Sequence, residues 1–208
     1  MSPHRDDPVT SRIRALFDTF AQGGLQWCIL RNHEFLTEGT PYANTDLDLL
    51  VSADEVSEFD RTLRRSGFVR TRESTVSRHV GYASFLPDAA RILAVDLHIG
   101  DPTWNDVPYL PGKLLLGRTS AAAPWISHPP HVTALLVLHS ILDKKRFRPE
   151  YRRTLDRLIG ADLDMAEVRE LLSQTTGRKM ADRLADLLGD RDYDALIRCR
   201  TRLIVLLL

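Results

Sequence analysis

The sequence predicts an α+β fold: an α/β part over residues 1–123, then a helical part over 124–208. Two observations predict it. As far as Ala123, short apolar runs with β-branched and aromatic residues alternate with helix-spaced segments. From Pro129 onward the chain is charged, leucine-rich and helix-spaced throughout. A length of 208 residues is enough to bury a core in one large domain or two small ones.

In order along the chain, Ile13, Leu16, Phe17 and Phe20 recur at helical spacing, which predicts a helix from Thr10 to Ala21. Thr10 or Ser11 can cap it, and Gly23-Gly24 stops it. "LQWCILR", Leu25 to Arg31, reads as a short buried strand, and "HEFLTEGTPYANT" as a loop rich in turn residues. "DLDLLVS" reads as a second strand that ends in an N-cap serine, Ser52. Ala53 to Gly67 has acids in its first turn, arginines in its last and a glycine stop, the charge order a helix dipole favours. "FVRTRES", "YASFLP" and "RILAVDLHIG" are further strands, and a loop with Pro102, Trp104, Pro108 and Pro111 follows. Helices are then expected from Pro129 to Phe147, with Pro130 in the first turn, and over Tyr151–Ile159, Met165–Gln174, Lys179–Leu188 and Tyr193–Leu208.

Lys+Arg and Asp+Glu are equal at 28 each, so no basic coat for nucleic acid and no acidic tail is present. The two cysteines, Cys28 and Cys199, form neither a disulfide framework nor a zinc spacing, which favours a reducing, cytoplasmic setting. The N-terminus lacks the apolar core of a signal peptide. "LIVLLL" at Leu203–Leu208 is far short of the ~20 residues that span a bilayer, so no membrane partner is expected. A chain ending on three leucines fits a sequence cut from something longer.

Chemistry concentrates in "ANTDLDLLVS". Asp46 and Asp48 are two apart on a strand and so share a face. Two like charges that close disfavour each other's ionisation, so a cation must compensate. Hard divalent ions with oxygen ligands do this, and Mg²⁺ takes one or two carboxylates beside substrate phosphates. Asp96 lies among Ile92, Leu93, Val95, Leu97 and Ile99, where an unpaired acid is costly to bury. If its strand lies next to "DLDLLV", three carboxylates converge as a one- or two-metal phosphoryl- or nucleotidyl-transfer site requires.

The order of these elements resembles the nucleotidyltransferase superfamily, the polymerase-β-like fold. "GGLQWCILRN" is similar to its helix-Gly-strand opening, "NTDLDLLVS" to its Asp-x-Asp strand, "FDRTLRRSGF" to the helix and turn after it, and "VDLHIG" to the strand carrying the third carboxylate. The pattern is closest to bacterial small-molecule members, such as aminoglycoside nucleotidyltransferases, and covers roughly residues 10–100. The resemblance implies a mixed sheet flanked by helices, with a helical C-terminal half. It implies Mg²⁺, as two ions, held by Asp46, Asp48 and Asp96, an NTP as donor, and Asp96 as base for the attacking hydroxyl.

The superfamily places small residues after the first strand, where backbone amides approach the triphosphate. This chain has Arg31-Asn32 there. Arg31 suits phosphate oxygens through its planar fork, and Asn32 suits phosphate or sugar. The alternative for Arg31 is an ion pair with Asp46 or Asp48 that neutralises them without metal. Lys144 and Lys145 open a window to Arg157 with seven basic residues (144, 145, 146, 148, 152, 153 and 157) against two acids, Glu150 and Asp156. Such a run is either a solvated helix face or, as the resemblance implies, a source of a lysine for the triphosphate. His98 shares a strand face with Asp96, close to metals or acceptor, or packs as a core histidine. The expected activity is Mg²⁺-dependent transfer of a nucleoside monophosphate from an NTP to a small-molecule hydroxyl. The alternatives are a toxin-like or tRNA-modifying enzyme with an RNA acceptor, and a non-catalytic nucleotide-binding module.

Overall fold

The computed structural model describes residues 7–31, 33–37, 42, 46–73, 78–117, 119–120 and 123–208, with the side chains of residues 37, 72, 73, 119, 120 and 123–125 excepted. The chain forms α1 (Pro8–Gln22), β1 (Trp27–Ile29), α2 (Glu34–Thr37), β2 (Asp46–Val51), α3 (Val56–Arg65), β3 (Val69–Glu73), β4 (His79–Leu86) and β5 (Arg91–Ile99). Two short strands follow, β6 (Thr103–Trp104) and β7 (Val107–Pro108), then α4 (Gly112–Gly117), β8 (Thr119–Ser120) and β9 (Ala123–Ser127). The remainder is helical: α5 (Pro129–His139), α6 (Pro149–Gly160), α7 (Met165–Thr176), α8 (Arg178–Gly189), α9 (Tyr193–Arg198) and α10 (Arg200–Leu207).

Two compact units result, Met1–Gly100 with Ala123–Ile126, and Asp101–Ala122 with Ser127–Leu208.

The first unit is built on a mixed sheet in the order β3-β4-β5-β2-β1-β9. β2 and β5 run parallel, as do β1 and β9, while β1/β2, β4/β5 and β3/β4 are antiparallel. One face is apolar because the strands alternate. Leu47, Leu49 and Val51 of β2 join Leu93, Val95 and Leu97 of β5 in a core with Ile13, Leu16, Phe17 and Phe20 of α1 and Phe59 and Leu63 of α3. Aromatic contacts lock α1 down, with Phe17 and Trp27 ring centroids 4.1 Å apart and Phe20 and Phe59 4.9 Å apart. The cap of α1 is Asp7, not Thr10 or Ser11: its carboxylate accepts the backbone N–H groups of Val9 and Thr10, and Pro8 starts the helix. The Thr10 hydroxyl donates to the same carboxylate. Gly24, at φ 67°, gives the left-handed turn that ends α1 and feeds β1.

In the second unit, α5 is buried almost all round. Its continuation over Ser140–Lys144 is a π-helical turn that ends at Lys145 in the left-handed region, φ 56°. The expected C-terminal helix from Tyr193 is two helices, broken at Cys199. Cys28 and Cys199 are both buried and unbridged. Among the described residues no helix is long and apolar enough to cross a membrane.

Candidate active site

The second face of the sheet in the first unit carries the acids. β2 pairs with β5 in a register that sets Asp46 beside Ala94, Asp48 beside Asp96, and Leu50 beside His98. Directly opposed residues of neighbouring strands share a face, so Asp46, Asp48, Asp96 and His98 all project to one side. Each of the three aspartates offers an oxygen, and these oxygens lie within 4.8 Å of one another. The register is enforced from the other side: a slip of one residue would turn Leu47, Leu49 and Val51 out of the core.

Asp48 is the centre of the cluster and is 6 % exposed. β1 delivers Arg31 to it. The chain stays paired one residue beyond β1, where the N–H of Leu30 donates to the carbonyl of Asp48 at 3.1 Å. The next residue then reaches back across the carboxylate. Arg31 Nε donates to Oδ2 at 3.0 Å, and Nη2 lies 2.7 Å from Oδ1. This is the two-point fork geometry that favours arginine over lysine. Nε2 of His98 lies 3.1 Å from the same Oδ1. An ionised carboxylate only accepts, so Nε2 of His98 carries the proton. Burial by itself would raise the Asp48 carboxyl. The His98 hydrogen bond and the Arg31 charge outweigh it and hold Asp48 well below the usual carboxylate range.

Three further residues shape the site and leave weaker traces in the sequence. His79 stands opposite His98 in the β4/β5 ladder, with ring centroids 3.9 Å apart. Arg91 donates to the backbone carbonyl of Tyr42 at 2.7 Å and lies over its ring. Burial and then the charges of Asp46 and Asp48 push the Tyr42 phenol up, against the pull of Arg91. The Tyr42 hydroxyl is buried and has no hydrogen-bond partner among the described residues. His79 is not singled out by the sequence reading, which places Tyr42 only in a turn-rich loop.

The donor set fits a hard divalent cation. Three carboxylates converge, and the ligand atoms that they bring together are all oxygens. Arg31 takes one lone pair on each Asp48 oxygen and His98 takes a second on Oδ1, which leaves Oδ2 able to accept again.

Of the residues named from the sequence, Asp46, Asp48, Asp96, His98 and Arg31 are brought together. Arg31 makes the ion pair that was the alternative to a phosphate contact. Asn32 lies outside the described residues. Lys144 and Lys145 belong to the second unit, at the end of its π-helical turn. In that unit Nδ1 of His139 lies 2.7 Å from Oδ2 of Asp143.

No family model and no curated protein matches the chain. Among solved structures it is similar to the solution structure of the antibiotic-resistance factor ANT(2'')-Ia, at 13% identity and a TM-score of 0.53. That similarity covers 86% of this chain and 97% of the other. A likeness at this identity is one of fold. With the mixed sheet and its helices, it establishes that the chain has a nucleotidyltransferase-like fold.

Proposed function

We propose that this protein is a Mg²⁺-dependent nucleotidyltransferase that moves a nucleoside monophosphate from an NTP to a hydroxyl of a small molecule. The observation that carries this reading is the parallel β2/β5 register, which sets Asp48 against Asp96 with Asp46 on the same face. The likeness to an antibiotic-resistance factor supports a small-molecule acceptor.

Asp46, Asp48 and Asp96 would hold the metal, as two ions. When bound, Mg²⁺ supplies positive charge for the triphosphate oxygens and the departing pyrophosphate. Asp96 accepts the proton of the acceptor hydroxyl as the new O–P bond forms at the α-phosphorus and the bond to pyrophosphate breaks. His98 fixes the Asp48 carboxylate through its Nε2–H. Arg31 has two anionic partners that fit its fork, the Asp48 carboxylate and the phosphate of a nucleotide. Asn32, Lys144 and Lys145 are further nucleotide contacts in this reading.

The Arg31–Asp48 pair also favours a second reading, a nucleotide-binding module in which the guanidinium stands in for a metal and no transfer occurs. Thermal unfolding with each NTP, with and without Mg²⁺, separates the two. Stabilisation that needs both, and labelled product from small-molecule hydroxyl acceptors, supports the enzyme. Binding that ignores Mg²⁺ supports the module, and no response to any NTP sinks both. Labelled NTP with total tRNA tests the RNA-acceptor alternative.

A further inference from the structure

The second unit contains a separate set of metal-ligating side chains: His128, His131 and Glu167 each offer one ligand atom, all within 4.8 Å of one another. His128 and His131 bracket the start of α5, "HPPH". The two prolines occupy its first positions, and the carbonyl of His128 accepts the N–H of His131 at 2.9 Å and of Val132 at 3.1 Å. That turn is therefore stiff, with φ fixed at both prolines. His128 sits at the N-cap, yet its side chain makes no capping bond. Glu167 stands in the first turn of α7, whose cap is provided by Asp164. Neither side chain is needed to finish its own helix.

His128 and His131 both face Glu167. Nδ1 of His128 lies 3.7 Å from Oε2 of Glu167, and Nδ1 of His131 lies 3.9 Å from Oε1. Both separations exceed hydrogen-bond length. They are close to the spacing of two ligands across one tetrahedral ion, about 3.3 Å for bonds of about 2.0–2.1 Å. The imidazole rings are nearly perpendicular, at 77°, so both can aim at one point without stacking. Nδ1 of His128 is itself buried and has no hydrogen-bond partner among the described residues. A buried imidazole nitrogen left so is costly unless something binds it. The His131 side chain is 2% exposed, whereas those of His128 and Glu167 are 46% and 23% exposed, so an ion has a path in and a solvent-facing fourth position.

From this geometry we infer that His128, His131 and Glu167 form a zinc site that ties the start of α5 to the start of α7. Two imidazoles and one carboxylate are a borderline donor set, suited to Zn²⁺ and ill suited to Mg²⁺ or Ca²⁺. The site is chemically distinct from the all-oxygen cluster of the first unit. An ion held by both helix starts binds the folded chain and stabilises it by mass action.

The test uses the full chain, stripped with a chelator and titrated with Zn²⁺ alone. One zinc per chain should bind and raise the melting temperature, and Co²⁺ in its place should give the visible absorption of a tetrahedral site. His128→Gln and Glu167→Gln, both at partly exposed positions, should each weaken zinc binding by more than about 100-fold. Removing a group that merely orients a metal ligand already costs about 10–100-fold. Asp46→Asn and Asp96→Asn should leave zinc binding intact. Three results would overturn the site: no stoichiometric zinc, binding indifferent to both His128→Gln and Glu167→Gln, or binding lost with the aspartates of the first unit.

Discussion

Arg31 and Asp48 are joined at two points, Nε to Oδ2 at 3.0 Å and Nη2 to Oδ1 at 2.7 Å, with side chains 11% and 7% exposed. Removing one member of so buried a pair strands the other charge. Arg31→Ala should lower stability by on the order of 3 kcal/mol in metal-free buffer. It should also recover more stability on addition of Mg²⁺ than the wild type, because the competing cation has gone. Urea unfolding with and without Mg²⁺ checks both parts. Equal responses to Mg²⁺ would show that Arg31 and the metal do not share Asp48.

Asp48→Asn and Asp96→Asn should separate activity from stability. Each should reduce nucleotidyl transfer by about 10³-fold, the scale expected when a charge-stabilising group is lost. Asp48→Asn sets the Arg31 guanidinium, joined to that carboxylate at two points, against a neutral amide, so it should show the larger drop in denaturation midpoint. Transfer assays and denaturation on the same preparations read this out. A midpoint in Asp96→Asn as low as that of Asp48→Asn would contradict it.

His98→Asn shortens a side chain whose ring bonds Asp48 and packs on His79. The expected cost is about 1–2 kcal/mol of stability, with a fall in kcat and little change in KM for the NTP, since His98 positions Asp48 in this reading rather than touching the nucleotide. Steady-state kinetics decide, and a change confined to KM would place His98 at the substrate instead.

Asp7→Ala tests the cap of α1 and its pH dependence. Burial works to raise the Asp7 carboxyl, but hydrogen bonds from the Thr10 hydroxyl and the N–H groups of Thr10, Tyr42 and Val9 outweigh it and lower it. A lowered folded-state value means a contribution fully present above the unfolded value of about 3.9 and lost as pH falls through the lower folded one. The variant should be less stable by about 1 kcal/mol near neutral pH, and the difference should shrink in acid. A pH-independent difference would mean that the carboxylate charge is irrelevant to the cap.

Much of this was legible because it is local. Period-two spacing places Asp46 with Asp48. What was misread depended on competition between neighbours. Thr10 has the right chemistry for a cap, but Pro8 must start the helix, which moves the cap to Asp7. The π-helical turn at Ser140–Lys144 lies in a pattern that reads as continuous helix, because one extra residue per turn leaves composition unchanged.

The sequence by itself determined that two acids share a strand face while Leu47, Leu49 and Val51 bury the other, since alternation is a property of the extended chain. It also showed a third acid, Asp96, on a strand too apolar to leave it unpaired. Only the tertiary structure decided that Asp48 stands against Asp96 and that Arg31 closes on Asp48. Those pairings span 48 and 17 residues and are set by which strands become neighbours. The burial of the opposite face fixes that choice, and no local pattern encodes it.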